Sequence, residues 1–178
     1  MDLSERLFMV FDVESVGLNG EGFAVGFVVI GGDGTELDWG LFACDHIDCV
    51  GAKDDMEWVE KNIGDIFAPY GCSGPRAVRD AFWNYWMKWK SRGAWLAADC
   101  CWPVESRFLQ ACVEDDTQYR KWEGPYPLID VSTAMLAAGR DPLSENDRLP
   151  NELPAHNPLA DARQSARLLI ECLKSRIV

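Results

Sequence analysis

Five consecutive apolar residues, Leu7-Phe8-Met9-Val10-Phe11, leave a strand with no polar face. Alternate side chains of a strand point to opposite sides of its sheet, so residues 7–12 need cover above and below. A sheet sandwiched between helices meets that demand. The run then ends on acids, Asp12 and, two residues on, Glu14, before the turn Ser-Val-Gly-Leu. Residues 23–30 and 36–43 read as two further strands joined by a Gly-Gly-Asp-Gly turn at 31–34, so an antiparallel meander opens the domain.

Downstream the period changes. A helix is expected around 56–63. In 75–89 the apolar residues Val78, Ala81, Phe82, Tyr85, Trp86 and Trp89 recur at three and four, with Pro75 in the first turn and Gly93 past the end. Residues 94–98 form a short buried strand running into Asp99. A second helix spans 103–115, with Pro103 in its first turn and Glu105 just inside. Another strand ends near Asp130. Residues 139–155 are polar and hold three prolines, hence a loop, and 158–173 is a long amphipathic helix. Strand, strand, strand, helix, strand, helix, strand, helix defines an α/β domain, with a mixed central sheet flanked by helices in three layers.

The 178 residues, 48% hydrophobic, suit a single domain over 1–178 with its own core. Seven cysteines, two of them adjacent at Cys100 and Cys101, fit no disulfide framework and point to reduced thiols in the cytoplasm. Acids at Asp2 and Glu5, and the lack of any 18-residue apolar run, argue against secretion and against a membrane span. A net charge of −12 opposes a grip on long duplexes. It is compatible with an enzyme that holds a few nucleotides at one end, and bound cations can neutralise part of it.

Asp12 and Glu14 share a side of their strand, where like charges repel. A carboxylate taken out of water unpaired costs several kcal/mol. The nearest cation along the chain, Arg6, lies at the other end of the strand. A hard divalent cation answers the imbalance, unless both acids simply lie in solvent. His156 precedes the last helix and Asp161 stands in its first turns. Asp99 and Glu105 each offer a further carboxylate, although Glu105 also suits a helix N-terminus. The stretch Cys-Asp-His-Ile-Asp-Cys offers Cys44, His46 and Cys49 as an alternative zinc site lacking a fourth ligand.

In this order the segments resemble the DEDDh family of 3′–5′ exonucleases. "FDVESVGL" resembles its first motif, Asp-x-Glu at a strand end before a Gly-Leu turn. "HNPLADA" resembles its third, a His five residues before a helical Asp. "ESRFL" resembles the second, but with Glu in place of Asp and two extra residues after the strand. Helix phase favours Glu105 there, with Asp99 as the alternative second-motif ligand. The resemblance spans 8–170 and implies a ribonuclease H-like fold and two Mg²⁺ or Mn²⁺ ions held by Asp12, Glu14, Glu105 and Asp161. It also implies His156 as general base toward an attacking water, and release of nucleoside 5′-monophosphates from the 3′ ends of single-stranded nucleic acid or short oligonucleotides. Ser15 and Leu18 would touch the terminal nucleotide, and Trp102 would stack on a base. Arg163 and Arg167 would meet phosphate or form a solvated helix face. The aromatic helix at 75–89 would be either core or a homodimer interface. The rival to catalysis is a nuclease-like fold that binds nucleic acid or a protein partner without cleaving.

Overall fold

The computed structural model describes residues 5–63, 66, 68–144 and 146–175. The meander forms as expected: β1 (Leu7–Ser15), β2 (Gly22–Gly31) and β3 (Glu36–Ala43) pair antiparallel. β1 runs three residues beyond the predicted 7–12, so both acids lie inside the strand. Asp12 stands opposite Gly26 and Glu14 opposite Ala24. Helix α1 (Lys53–Asn62) follows, and a two-residue strand, β4 (Tyr70–Gly71), adds to β3 in parallel.

The chain then crosses through α2 (Pro75–Lys90) and returns as β5 (Trp95–Ala98), parallel to β1 on its free edge. After α3 (Ser106–Glu114) and the short α4 (Thr117–Arg120), β6 (Leu128–Asp130) lies parallel beyond β5. Helices α5 (Val131–Ala137) and α6 (Pro158–Lys174) complete the fold. The sheet order β4-β3-β2-β1-β5-β6 is mixed, with β1 near its centre.

The two parities of β1 divide the core. Met9, Phe11 and Val13 pack with Phe82, Trp83, Trp86 and Trp89 of α2, whereas Phe8 and Val10 pack with α5 and α6. The aromatic face of α2 is therefore spent inside the molecule. Asp12 and Glu14 continue the parity of Phe8 and Val10, so they project toward α6. Asp99 follows Ala97, which packs with the same helices, and leaves its strand on that side too.

Two helices downstream also differ from expectation. The helix predicted from 103 starts at Ser106, after a wide turn in which Trp102 is extended (φ −124°, ψ 136°). The Cys101 amide donates to Asp130 Oδ2 at 2.9 Å, which draws this turn toward β6. Helix α5 arises where no helix was assigned, because Asp130 caps it by accepting from the Thr133 amide at 2.6 Å. No helix among the described residues is long and apolar enough to cross a membrane.

The loop before α6 is fastened by charge. Glu152, 1% exposed, accepts from Arg167 Nε at 2.7 Å and Nη2 at 2.9 Å, and from the Leu149 amide at 2.9 Å. Arg140 holds Glu171 at 2.8 Å. Arg163 forms two bonds to Glu36. Arg163 and Arg167 are thus each paired with a carboxylate in this structure. Burial alone would raise the Glu152 carboxyl; Arg167 and the Leu149 amide outweigh it and hold it below the ordinary carboxylate value. That contribution to stability is present above the unfolded pKa and lost as pH falls through the lowered folded one. Arg167→Ala strands a buried carboxylate and should destabilise the protein by about 3–5 kcal/mol in urea unfolding at neutral pH, less in acid where Glu152 protonates.

Candidate active site

Three acids from distant parts of the chain meet at the end of β1. Asp12, Glu14 and Asp161 each present a carboxylate oxygen, and these oxygens all lie within 4.8 Å of one another. β1 supplies the first two by strand parity; α6 supplies the third from its first turn. Asn157 fixes that turn by accepting from the Leu159 and Ala160 amides at 3.2 Å each, while the Asp161 amide donates to the Asn157 carbonyl at 2.9 Å. A cleft of about 380 Å³ opens over the acids, lined also by Asp99, Arg148 and His156.

The electrostatics are those of crowded anions. Asp12 is raised well above the ordinary carboxylate value, first by desolvation and then by the charges of Asp161, Glu105, Glu14 and Asp99. Glu14 is pushed up to about 7 by desolvation and by Asp161 and Glu105. Desolvation also raises Asp161, against the pull of Arg148.

Glu105 lies buried outside the mutual group of three. Desolvation lifts it to about 7, with a contribution from Asp99, while a backbone hydrogen bond at Val13 pulls it down. Asp99 is more exposed and is raised by desolvation, Asp130 and Asp161. The structure thus brings Asp12, Glu14 and Asp161 together and keeps Glu105 and Asp99 at the margin, each acting on Asp12 through its charge.

His156 sits over the cluster on the loop, with Nδ1 3.9 Å from Glu14 Oε1. Its φ of +60° is in the left-handed region, uncommon for a residue with a side chain. The Trp58 ring of α1 meets the imidazole edge-on, centroids 5.8 Å apart. Ser15 Oγ donates to the Gly17 carbonyl at 2.7 Å, which closes the turn after the acids. Gly17 itself has φ +68°, and a Cβ there would lie 2.3 Å from the Asp55 carboxylate of α1. Leu18, on the same turn, is 66% exposed. Trp102 is 74% exposed and does not line the acid cleft.

Two participants escaped sequence reasoning. Arg148 donates to Asp161 Oδ1 from a polar loop, and Trp58 reaches His156 from α1. Neither belongs to a motif, and both contacts depend on tertiary approach. The alternative zinc ligands do not converge. The thiols of Cys44 and Cys49 hydrogen-bond each other, and the His46 ring lies 3.6 Å from Asp45 and meets the Phe23 ring edge-on with centroids 5.9 Å apart. Among the described residues the acid trio is the one group with metal-ligating spacing.

Oxygen donors that repel one another, offset by a single arginine, fit a hard divalent cation. A mixed sheet between helix layers, with paired acids at the end of its central strand and a third from the last helix, is a fold shared with known structures. Two solved structures carry the comparison. The zinc-ion-bound form of the E. coli ExoI–ssDNA complex matches with a TM-score of 0.61 at 13% identity, over 97% of this chain and 41% of that one. The nuclease domain of 3′hExo, a DEDDh family member bound to rAMP, matches with a TM-score of 0.54 at 15% identity, over 98% and 94%. The chain therefore spans under half the length of the first and nearly all of the second, and the likeness is one of fold. No protein-family model and no curated protein matches the sequence.

Proposed function

We propose that this chain, acting as one domain over 1–178 in the cytoplasm, is a metal-dependent 3′–5′ exonuclease. It would hydrolyse phosphodiesters at the 3′ ends of single-stranded nucleic acid or short oligonucleotides and release nucleoside 5′-monophosphates. The observation that carries the reading is the meeting of Asp12, Glu14 and Asp161 at the end of the central strand in this fold. Asp12, Glu14 and Asp161 would hold Mg²⁺ or Mn²⁺, with Glu105 supplying the fourth carboxylate and Asp99 as its alternative. When bound, such ions neutralise phosphoryl oxygens and make water more acidic.

The chain's own groups do the rest. His156 takes the proton of the attacking water; with Nδ1 turned toward Glu14, Nε2 is the nitrogen free to accept it. Trp58 limits the ring's rotation from one side. Ser15 and Leu18 border the turn where the terminal nucleotide would rest, and Trp102 remains the proposed stacking residue for a base further out. His156→Ala should lower kcat about 10²- to 10⁴-fold while leaving Mn²⁺ affinity within about two-fold, read by kinetics and titration calorimetry.

The reading is tested with 5′-labelled RNA and DNA oligomers, incubated with Mg²⁺ or Mn²⁺ and resolved on gels. A ladder shortening from the 3′ end, absent on chelation, supports it; intact oligomers under both metals overturn it. One observation favours a second reading, binding without cleavage. Glu105 and Asp99 both lie outside the tight trio. Retention of oligomers without shortening would decide for that reading.

A further inference from the structure

Arg148 stands apart from the other arginines paired on or against α6. Arg140 is held by Glu171, Arg163 by Glu36, and Arg167 by Glu152. Each of those partners lies away from the acid cluster. Arg148 alone takes its carboxylate from the site itself, donating through Nη1 to Asp161 Oδ1 and also to the Glu152 carbonyl at 2.9 Å. Its guanidinium lines the cleft over the acids. It lines equally an adjoining polar cavity of about 390 Å³, formed with Asp99, Ser144, Asn146 and Gln164. Among the described residues no other lysine or arginine lines either space.

A polyanion entering this cleft meets carboxylates on nearly every side. A divalent cation at Asp161 would take over the charge that now holds Arg148, leaving a half-buried guanidinium without its anion. The Glu152 carbonyl keeps the side chain tethered within reach of both cavities. A guanidinium offers paired N–H donors that match two oxygens of a phosphate, and a lysine does not.

We propose that Arg148 is a substrate-contacting residue of two positions: on Asp161 it is the counter-ion of the acid cluster, and once a cation occupies Asp161 it binds a backbone phosphate of the nucleic acid. This rests on the exonuclease reading for its substrate class, and both halves are measured by binding alone. The ligands are Mn²⁺, titrated by calorimetry, and a fluorescent single-stranded oligonucleotide with phosphorothioate linkages, followed by anisotropy in Mn²⁺.

Arg148→Ala should bind Mn²⁺ about three- to ten-fold more tightly, because a competitor for Asp161 is gone, and the oligonucleotide about ten-fold more weakly. Arg148→Lys, which keeps the charge without the fork, should stay near the parent for Mn²⁺ and lose several-fold for the oligonucleotide. It also covers the case in which the alanine variant fails to fold. Unchanged Mn²⁺ affinity in a folded Arg148→Ala overturns the counter-ion role; tighter Mn²⁺ with unchanged oligonucleotide affinity overturns the phosphate role. A parent that shows both binding behaviours but never shortens an oligomer defeats the exonuclease reading and leaves the Arg148 assignment standing.

Discussion

If the chain is the nuclease proposed above, Asp12→Asn should lower hydrolysis about 10³-fold or more, and it should make the metal-free protein more heat-stable near neutral pH. Both results follow from one cause. Asp12 is desolvated and faces the charges of Asp161, Glu105, Glu14 and Asp99, and among the described lysines and arginines Arg148 alone lines the cleft. An amide of the same shape keeps the packing and removes the repulsion. It also removes a hard oxygen anion from the trio, which a divalent cation needs.

The sign of the pH dependence is opposite to that of an ordinary ion-paired acid. A carboxyl raised by the fold binds more protons folded than unfolded, so stability falls as pH rises from the unfolded value to the folded one. For Glu14 and Glu105 that window runs from 4.5 to about 7. At about 1.36 kcal/mol per pKa unit, each carries a penalty of order 3 kcal/mol once ionised, shared between them because they act on one another. In chelator, the melting temperature should drop between about pH 4.5 and 7, by less in Asp12→Asn. Saturating Mn²⁺ should restore the parent and do much less for the variant. A variant that melts below the parent in chelator would contradict this account of the cluster. Glu152 works the other way, adding stability at neutral pH, so the acid limb reports the loop anchor and the neutral limb reports the site.

The architecture could be read from local pattern because local pattern caused it. An apolar run at both parities of 7–11 demands two covered faces, and the helical stripe from Val78 to Trp89 supplies one cover. The parity of Asp12 and Glu14 was equally legible, since period two admits no other facing. What pattern could not give was approach across the fold. Arg148 reaches Asp161 over thirteen positions of a polar loop, and nothing in that loop's composition distinguishes it from Arg140. The choice between Asp99 and Glu105 stayed open for a similar reason. The wide turn at 101–105 sets where each carboxylate points, and it is drawn toward Asp130 of β6, 29 residues further on.

Gly26→Ala should be a strongly damaging single-methyl change. Gly26 is the partner of Asp12 across the β1–β2 ladder, so both face α6. A Cβ at position 26 would lie 2.2 Å from the Leu159 amide nitrogen and 2.3 Å from the Pro158 carbonyl carbon, backbone atoms of the first turn of α6. The absence of a side chain is thus what lets the helix start close against the sheet, and that approach carries Asp161 to Asp12 and Glu14. Backbone cannot rotate aside as a side chain would, so the helix must lift by more than an ångström or the strand must buckle. Overpacking of this kind costs about 1–3 kcal/mol and here should reach the upper end. Mn²⁺ affinity should fall at least about ten-fold as well, because the trio spreads. Gly124→Ala, where a methyl group meets open space, is the control and should change urea stability by under about 0.5 kcal/mol. If Gly26→Ala keeps the parent's Mn²⁺ affinity while losing stability, helix seating and site assembly are separable, and Asp161 reaches the cluster by adjustment of its own side chain.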